Sequence, residues 1–473
     1  MVAAFGVGAL LMLLAVWACN RWAGHKQRQP NREHSERDIT LSPDQQAALS
    51  AVLEPNWDTE CILIYGSAGT GKSTIIHKIV EALNGQAIVA APFGIAALNV
   101  GGTTINRLIG IGPFAIPYDQ MAHLVHMLDE DRREVMREAK VVIIDEVSTL
   151  RVDLMDALDY SLRINLGAPD VPFGGKKVVL VGDLMQLDPV VAQDGPQLTA
   201  WDGHMFFHGK VWQQARLRAI KLTQAHAFEK DPEFAEALQQ LRSVETRLAA
   251  INWINQRMIV AHNDGGRVVI ATTNADANGI NEQRLAALPP PPHTYHGETD
   301  GDFLAGDMRT SMHLTLKIGA RVVVVANDRE RPPQFANGTL AEVRHMGDDS
   351  VEIEKDDGES IVLHQYQWNR LEPKLNDAGQ LVHEPVAWFR QIPLKLAWAF
   401  TVQRAQGLRF DAVHVLPGHN GFFASGHAYV AISRCRTISG LSCIYPFNMA
   451  HFWWAPSLLR FLEEIEENPI WPA

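Results

Sequence analysis

The most informative stretch of this sequence is CILIYGSAGTGKSTIIHKIV, residues 61–80. Its apolar first part, Cys61-Ile62-Leu63-Ile64-Tyr65, is typical of a buried strand, and the part from Thr74 onward is typical of the first turns of a helix. A loop with three glycines, Lys72 and Ser73 connects them. This order of strand, loop and helix is the context of a phosphate-binding P-loop.

The chemistry of the loop predicts a nucleoside triphosphate site. Glycines allow the backbone N–H groups to face the phosphates, and the helix N-terminus adds partial positive charge. We expect Lys72 to reach the β- and γ-phosphates and Ser73 to bind Mg²⁺. A chance glycine loop is the alternative, and the flanking strand and helix argue against it. The predicted nucleotide contacts are Gly66, Ser67, Ala68, Gly69, Thr70, Gly71, Lys72, Ser73 and Thr74.

Two later apolar strands end in polar residues that would complete such a site. Residues 141–146 read VVIIDE. Parallel sheets bind ligands at the carboxyl ends of their strands, so we expect Asp145 to hold Mg²⁺ and the nucleotide, and Glu146 to deprotonate the attacking water. The two acids could instead cap the next helix. Residues 177–189 read as another buried strand that ends in a glycine and a polar cluster. Gln186 lies in that polar cluster and is expected to contact the γ-phosphate or the water.

Size and composition favour a globular protein of two or more domains. The chain has 473 residues, of which 47% are hydrophobic and 20% charged. Its net charge of −12 argues against a lysine-coated polyanion binder but allows a local basic channel. The four cysteines lack metal-ligand spacing, so neither a zinc site nor a disulfide framework is predicted, and a reducing compartment fits.

An uncharged, mostly apolar run covers residues 1–19, and basic residues follow it from Arg21 onward. The run is long enough to span a bilayer, and the positive-inside tendency would keep the rest of the chain in the cytoplasm. We therefore expect a cytoplasmic protein, tethered to the inner membrane if this segment is an anchor. A cleaved signal peptide, a lipoprotein cleavage site and a start-site artefact are the alternatives.

Five further motifs point to a family. Residues 41–46 read LSPDQQ and precede the P-loop, and residues 92–106 follow it. Residues 172–175 read PFGG, residues 399–407 end in the pair QG, and residues 429–436 read YVAISRCR. Together with the P-loop, these motifs resemble the PIF-type branch of the superfamily 1 helicases, which are relatives of RecD.

The resemblance implies an α/β fold with two RecA-like P-loop motor domains. The residue pattern itself predicts the inserts. The helical stretch 117–140 is either a small helical insert in the first motor domain or a crossover helix, and the short β patterns between residues 314 and 354 predict an SH3-like β-barrel inserted in the second. The alternation of strand and helix patterns agrees with this order. The expected division of the chain is an apolar segment at 1–22, a linker at 23–40, the first RecA-like domain at 41–218, the second at 219–300 and 386–466, and the barrel at 301–385.

The resemblance further implies roles for residues outside the P-loop. Gln45 matches the family residue that hydrogen-bonds adenine, and Gly407 matches a turn that contacts both the phosphates and the single strand. Arg434 matches the arginine finger of the second motor domain, which stabilises the phosphoryl group in transfer. A surface ion pair is the alternative interpretation of Arg434. The residues expected to take part in catalysis are therefore Lys72, Glu146, Gln186 and Arg434.

The DNA-binding residues implied by the resemblance depart more from the family pattern. Gly94, Thr104 and Asn106 lie in the stretch that resembles the first contact with the single strand, and Asn106 replaces a histidine. Arg404 and Gln406 lie in a stretch where Gln403-Arg404 replaces a His-Lys pair, so that Arg404 keeps the positive charge. We expect these five positions, Gly94, Thr104, Asn106, Arg404 and Gln406, to contact DNA.

One arginine of the family pattern is missing. After Leu222-Thr223 the family has a Phe-Arg-Gln context, whereas residues 224–232 of this chain read QAHAFEKDP. Lys230 is nearby but lacks the bidentate fork of arginine. Hydrolysis is therefore expected to be slow, unless another arginine takes this place.

The motifs predict an ATP-driven motor that uses ATP and Mg²⁺. The resemblance implies that it is a 5′-to-3′ DNA helicase, and we expect it to move along single-stranded and forked DNA as a monomer. The resemblance connects it with DNA repair, DNA recombination and telomere maintenance. A nucleotide-switched DNA-binding scaffold with little unwinding is the alternative, motivated by the missing arginine and the apolar N-terminus. A small-molecule P-loop kinase fits less well, because it has no use for a second motor domain that carries Arg434.

Overall fold

The computed structural model describes residues 41–112, 114–191, 198–224, 231–328, 333–419 and 421–472. Residues 43–473 form one compact unit, and residues 1–42 form another, of which only Leu41 and Ser42 are described. The predicted anchor at 1–22 and linker at 23–40 therefore lie outside the described residues. Within the described ranges, no helix has the length and apolar character needed to cross a membrane.

The first part of the compact unit is built on a seven-stranded sheet. In chain order its strands are β1 (Cys61–Gly66), β2 (Ala87–Ala91), β3 (Thr103–Thr104), β4 (Val141–Ile144), β5 (Lys177–Gly182), β6 (Leu217–Leu222) and a last strand at Ile470–Trp471. β1 pairs in parallel with β5 on one side and β6 on the other. β1 and β4 are buried along their whole length, as central strands of a parallel sheet are. The loop after β1 leaves the sheet at its carboxyl edge, where folds of this kind bind ligands.

Helices cover the faces of this sheet. They are α1 (Pro43–Leu53), α2 (Lys72–Ala82), α3 (Gly94–Asn99), α4 (Ile105–Leu108), α5 (Met121–Leu124), α6 (Glu130–Glu138) and α7 (Val152–Leu166). α2 starts at the end of the P-loop and buries Ile75, Ile76 and Ile79, which share one face of the helix. The stretch that we expect to be a small helical insert contains α5 and α6.

The motif Pro172–Gly175 is a tight turn packed against α7. Phe173 is fully buried, and its backbone N–H donates a hydrogen bond to Asp159 Oδ1 at 2.6 Å. Gly174 has a φ of 62°, and a Cβ on it would lie 2.5 Å from Leu162 O. Gly175 has a φ of 77°, but the nearest atom to a Cβ there is 3.9 Å away. The motif therefore has a packing role, and only Gly174 is constrained by a close backbone approach.

Replacing Gly174 by alanine should destabilise the protein more than replacing Gly175 does. Both variants carry the left-handed φ, which costs about 1–2 kcal/mol for an L-residue. The Gly174→Ala variant adds the clash with Leu162 O, so its free energy of unfolding should fall by about a further 1–3 kcal/mol. Urea unfolding of the two variants measures this difference. Equal losses in both would contradict the close approach.

The described residues of the second part contain fifteen further strands. They are β7 (Ile259–Val260), β8 (Val268–Ala271), β9 (His293–His296), β10 (Glu298–Asp300), β11 (His313–Leu316), β12 (Arg321–Val324), β13 (Leu340–Met346), β14 (Ser350–Lys355), β15 (Ser360–His364), β16 (Tyr366–Leu375), β17 (Leu381–Gln391), β18 (Leu394–Leu396), β19 (Ala399–Thr401), β20 (Val413–Leu416) and β21 (Leu441–Cys443). The helices of this part are α8 (Pro232–Gln240), α9 (Val244–Arg257), α10 (Asn274–Ala287), α11 (His427–Ile432) and α12 (Pro456–Glu467).

These strands form a second parallel sheet and a set of antiparallel sheets. The parallel sheet has the strand order β19-β8-β20-β21-β7. The antiparallel strands β15-β14-β13-β12-β18 form a five-stranded sheet, and the long hairpin β16–β17 pairs with β10 in another sheet. Two parallel α/β sheets agree with two RecA-like motor domains. The closed SH3-like barrel remains a prediction.

Two of the expected domain borders differ from the strand pairing. The border after Arg218 falls inside β6, because this strand continues to Leu222 and pairs with β1 along its whole length. The antiparallel region starts at β9 and ends at β18, so it reaches beyond both ends of the predicted range 301–385. Hydrophobic patterns locate the strands, but the neighbour that each strand pairs with is a tertiary property.

Candidate nucleotide site and nucleic-acid interface

The P-loop connects β1 to α2 and holds Lys72 against its own backbone. Lys72 Nζ donates hydrogen bonds to Gly66 O at 3.0 Å and to Ser67 O at 2.8 Å. Gly71 adopts a φ of 79°, which glycine permits without strain. Burial lowers the pKa of the Lys72 ammonium, although Asp183 and Glu146 act in the opposite direction. The loop thus holds a partly buried cation within electrostatic reach of carboxylates.

Gln45, in the first turn of α1, packs directly on the P-loop. Its Nε2 donates a hydrogen bond to Thr70 O at 2.9 Å, and the residue is buried. A Cβ on Gly71 would lie 2.3 Å from the same Nε2, so a side chain there would displace the Gln45 amide from its present position. The structure brings Gln45 to the predicted nucleotide site, and its contact with adenine stays a prediction.

Asp145 and Glu146 follow the buried strand β4. The Glu146 N–H donates a hydrogen bond to Asp145 Oδ1 at 2.8 Å, and Glu146 has a left-handed φ of 54°. Burial raises the pKa of Asp145. Burial and then the neighbouring Asp145 raise the pKa of Glu146 to about 7. A carboxyl group with this pKa can take up and release a proton near neutral pH.

Polar contacts run from Asp183, which follows β5, to the turn after β19. Gln186 Nε2 donates to Asp183 Oδ2 at 3.0 Å. Gln406 Nε2 in turn donates to Gln186 Oε1 at 3.3 Å. The residue predicted to sense the γ-phosphate is therefore in direct contact with a residue predicted to bind DNA.

Arg242 is a member of this site that the sequence motifs did not reveal. It follows α8, and its Nη1 donates to Asp183 Oδ1 at 2.8 Å and to the Tyr429 hydroxyl at 3.0 Å. Burial alone would raise the pKa of Asp183, yet Arg242 and Lys72 hold it below its ordinary value. The available signal was that Arg242 is the first arginine after Thr223. The stretch 225–230, where the family arginine is missing, lies outside the described residues.

Arg434 follows α11 and is 3% exposed. Its Nε donates to Val430 O at 3.0 Å, and its Nη2 donates to Ser433 Oγ at 2.8 Å. Burial lowers the pKa of this guanidinium, while Tyr429, Asp183 and Glu146 act against burial. Arg434 is therefore within electrostatic reach of the carboxylates that follow β4 and β5. A surface ion pair does not describe a residue buried to this degree.

The second half of the chain also touches the P-loop directly. Gln239, in the last turn of α8, donates a hydrogen bond from Nε2 to Ser67 Oγ. Gln239 and Arg242 are three residues apart, so this end of α8 covers the P-loop and reaches Asp183 at the same time. Neither residue belongs to a motif noted in the sequence.

Protein groups contact the predicted DNA-binding residues near α3 and α4. A Cβ on Gly94 would lie 1.8 Å from Asp307 Oδ1, and Asp307 pairs with Arg107 at 2.7 Å. Thr104 Oγ1 accepts a hydrogen bond from Arg107 N at 3.4 Å and caps α4. Asn106 Nδ2 donates to Gly112 O at 2.7 Å. The roles of Gly94, Thr104 and Asn106 in DNA binding stay predictions.

The predicted contacts after β19 are more accessible. Arg404 is exposed, and its Nη1 donates to Asn278 Oδ1 at 3.4 Å. Gly407 has a φ of 77°, is exposed, and has open space around the position of a Cβ. Their contacts with DNA or nucleotide stay predictions.

This chain is similar to solved structures and matches one protein-family profile. The crystal structure of Pif1 from Bacteroides sp. in complex with ADP-AlF4 matches with a TM-score of 0.82 and 30% identity, over 92% of this chain and 99% of that one. A profile of the family described as PIF1-like helicase matches residues 40–253. This chain belongs to the PIF1-like helicase family. The predicted family and its RecA-like α/β fold are thereby confirmed.

Other PIF1-like proteins match at similar identity. The human ATP-dependent DNA helicase PIF1 is 30% identical over 416 residues, which cover 85% of this chain and 60% of the human protein. The chain thus spans about three fifths of the length of that relative. Pif1 from Bacteroides bound to ssDNA matches with a TM-score of 0.64 and 30% identity, over 92% of this chain and 99% of that one.

Replacing Glu146 by glutamine should stabilise the protein at alkaline pH in the absence of nucleotide. The pKa of Glu146 in the folded protein, about 7, lies above the 4.5 that is ordinary for a glutamate side chain, so folding opposes ionisation of Glu146. The cost is absent below pH 4.5, grows as pH rises toward 7, and is complete above it. At pH 8 the Glu146→Gln variant should gain on the order of 2 kcal/mol in free energy of unfolding.

Unfolding of wild type and variant between pH 5 and pH 8 measures this gain. The matched control is Glu134→Gln, which removes an exposed carboxylate from α6 and should show no such pH-dependent gain. Equal stabilities of wild type and Glu146→Gln at pH 8 would contradict the raised pKa.

Proposed function

We propose that this PIF1-like chain is an ATP-dependent DNA helicase that moves 5′ to 3′ along single-stranded DNA. The observation that carries the proposal is a cluster of buried and partly buried charges built by both halves of the fold. Its carboxylates Asp145, Glu146 and Asp183 follow strands of the first sheet. Its cations are Lys72 from the P-loop and Arg242 and Arg434 from the second half. A pocket divided in this way can open and close during each cycle of hydrolysis.

The residues of the cluster also fit a Mg²⁺ ion bound with ATP. Mg²⁺ prefers oxygen ligands and is bound through one or two carboxylates together with substrate phosphates. The Asp145 carboxylate is buried, and within the described ranges it has no ion-pair partner. We assign Asp145 and the Ser73 hydroxyl to the metal. When bound, Mg²⁺ would neutralise charge on the phosphates.

The same cluster supports general-base catalysis of ATP hydrolysis. Glu146 has a pKa of about 7, so at neutral pH it can accept a proton from the attacking water. Arg434 and Arg242 would stabilise negative charge on the phosphoryl group in transfer. An arginine in this role contributes roughly 10³–10⁵ in rate. Asp183 would hold Arg242 until a phosphate group competes for its guanidinium.

Hydrolysis would be communicated to DNA through Gln186 and Gln406. Their side chains are 3.3 Å apart, and Gln186 also contacts Asp183. A change at Asp183 on loss of the γ-phosphate would shift Gln186 and with it the turn that carries Gln406. This contact supports a coupling between the nucleotide site and the strand-binding side.

The relatives support DNA as the substrate. One crystal structure shows Bacteroides Pif1 bound to ssDNA. A second structure concerns DNA unwinding at forked dsDNA by two coordinating Pif1 helicases. For this chain we propose contacts with single-stranded DNA through Gly94, Thr104, Asn106, Arg404 and Gln406. Asp307 would have to leave Gly94 before a strand could contact that residue.

Replacing Lys72 by alanine should abolish DNA-stimulated ATP hydrolysis. The variant loses the ammonium that would neutralise the β- and γ-phosphates, and the rate should fall by at least about 100-fold. The matched control is Lys78→Ala, because Lys78 lies on the same helix and pairs with Glu81 on its outer surface. A steady-state ATPase assay with single-stranded DNA measures both. Normal hydrolysis by the Lys72→Ala variant would refute the assignment of this loop.

Strand separation should depend on the polarity of the tail. We expect the protein to unwind a duplex with a 5′ tail and to leave duplexes with a 3′ tail or blunt ends intact. The ATPase rate on each of the three DNAs serves as the control for binding. If all three DNAs stimulated hydrolysis and none were unwound, the chain would instead be a nucleotide-switched DNA-binding scaffold.

A further inference from the structure

Each nitrogen of the Arg434 guanidinium donates to an oxygen of the second half of the fold. Nε donates to Val430 O at 3.0 Å, and Nη2 donates to Ser433 Oγ at 2.8 Å. Nη1 donates to two carbonyl groups of the turn after β19, Ala405 O at 3.4 Å and Leu408 O at 3.5 Å. In the part of the chain that the structure describes, no hydrogen bond or ion pair joins Arg434 to the first half. A phosphoryl group on the P-loop would therefore have to compete with these oxygens for the guanidinium.

The hydrogen bonds of Arg434 differ in length. Those of Nε and Nη2, at 3.0 and 2.8 Å, have the usual length of an N–H···O hydrogen bond. The two of Nη1, at 3.4 and 3.5 Å, are longer than usual. The guanidinium is thus held firmly at Nε and Nη2 and weakly at Nη1. Nη1 is the nitrogen whose partners a phosphate oxygen would displace most easily.

The Ser433 hydroxyl can only accept a hydrogen bond from Arg434. It donates its own hydrogen to Val430 O at 2.9 Å, and Ser433 is 1% exposed. A serine hydroxyl has a single hydrogen, so its oxygen is left to accept from Nη2. Val430 O also accepts from Arg434 Nε. Ser433, Val430 and Arg434 therefore form a closed ring of hydrogen bonds directly after α11, which ends at Ile432.

The burial of Arg434 makes its orientation depend on Ser433. Arg434 is almost fully buried, so water cannot easily replace a lost protein partner. A buried donor without a partner costs free energy, and more so when the group is charged. Without the Ser433 hydroxyl, Nη2 would therefore rotate toward another acceptor. Nη1 would move with it, because the guanidinium is a rigid plane.

We propose that Ser433 is a positioning residue for Arg434 in ATP hydrolysis. Together with Val430 O it holds Nε and Nη2 in place. Nη1 alone then exchanges the carbonyl groups of the turn after β19 for an oxygen of the phosphoryl group in transfer. A donor that is oriented before the reaction stabilises developing charge without a cost of reorganisation. The inference rests on the proposed function, because it takes Arg434 as the residue that stabilises the phosphoryl group.

Replacing Ser433 by alanine should lower kcat of DNA-stimulated ATP hydrolysis by roughly 10-fold, because a hydrogen bond to a charged group is lost. KM for ATP should stay within about twofold, since an interaction made only in the transition state affects kcat and not ground-state binding. Steady-state ATPase assays with saturating single-stranded DNA and varied ATP measure both constants. Ser433→Thr retains a hydroxyl group and should restore most of kcat.

The Arg434→Ala background tests whether Ser433 acts through Arg434. Arg434→Ala alone should lower kcat by roughly 10³-fold. Adding Ser433→Ala should then lower kcat by less than about twofold, because the effects of residues that act as a unit do not add. Single-turnover assays with excess protein over ATP measure these slow rates.

Ser442→Ala is the matched control for the loss of a buried serine hydroxyl. Ser442 is also fully buried in the second half, where its Oγ contacts His414 Nδ1 at 2.8 Å and donates to Val413 O at 3.4 Å. This variant should keep the wild-type kcat and KM. Binding of a fluorescent ATP analogue reports whether each variant is folded. The comparison separates a general loss of stability from a loss of catalysis.

The outcomes distinguish this inference from the proposed function. If wild-type protein did not hydrolyse ATP with single-stranded DNA, or if Arg434→Ala hydrolysed it at the wild-type rate, the proposed function of the site would fail and the inference with it. If Arg434→Ala were slow but Ser433→Ala kept the wild-type kcat, positioning by Ser433 alone would be refuted. An equal fall in kcat on adding Ser433→Ala to wild type and to Arg434→Ala would also refute it, because Ser433 would then act independently of Arg434.

Discussion

The buried carboxylate of Asp183 constrains the arrangement of the nucleotide site. It is 1% exposed and accepts hydrogen bonds from Arg242 and Gln186. A buried charge persists only when it is paired, and removal of one partner costs about 3–5 kcal/mol. Because Asp183 belongs to the first half and Arg242 to the second, this pairing holds the end of α8 over the P-loop, where Gln239 contacts Ser67.

The cations that pair with Asp183 are also the groups that would bind the phosphates of a nucleotide. Arg242 and Lys72 both hold the pKa of Asp183 below its ordinary value, so both cations already interact with a protein carboxylate. A triphosphate would compete with Asp183 for these cations. Glu146 lies in the same charged environment and has a pKa of about 7, so its proton is sensitive to any redistribution of charge nearby. Under the proposed function, nucleotide binding, proton transfer and closure would therefore be linked through this one set of charges.

How much could be predicted from sequence depended on how local each feature is. The P-loop and the strands β1, β4 and β5 were identified correctly, because apolar runs and glycine spacing encode them within a few residues. The Phe173–Gly174 turn was noted as a motif, but its packing against α7 was visible only in the structure. Arg242 was missed because its partner lies 59 residues away in the chain and no pattern marks it.

The sequence alone determined a P-loop α/β fold and its family, since backbone conformation and hydrophobic period are properties of short segments. The tertiary structure decided which distant groups meet: the Arg242 guanidinium and the Asp183 carboxylate, the Gln406 and Gln186 amides across 220 residues, and the Asp307 carboxylate beside the Gly94 backbone. The physical reason is that such contacts depend on how separate elements pack, and no local pattern records that packing.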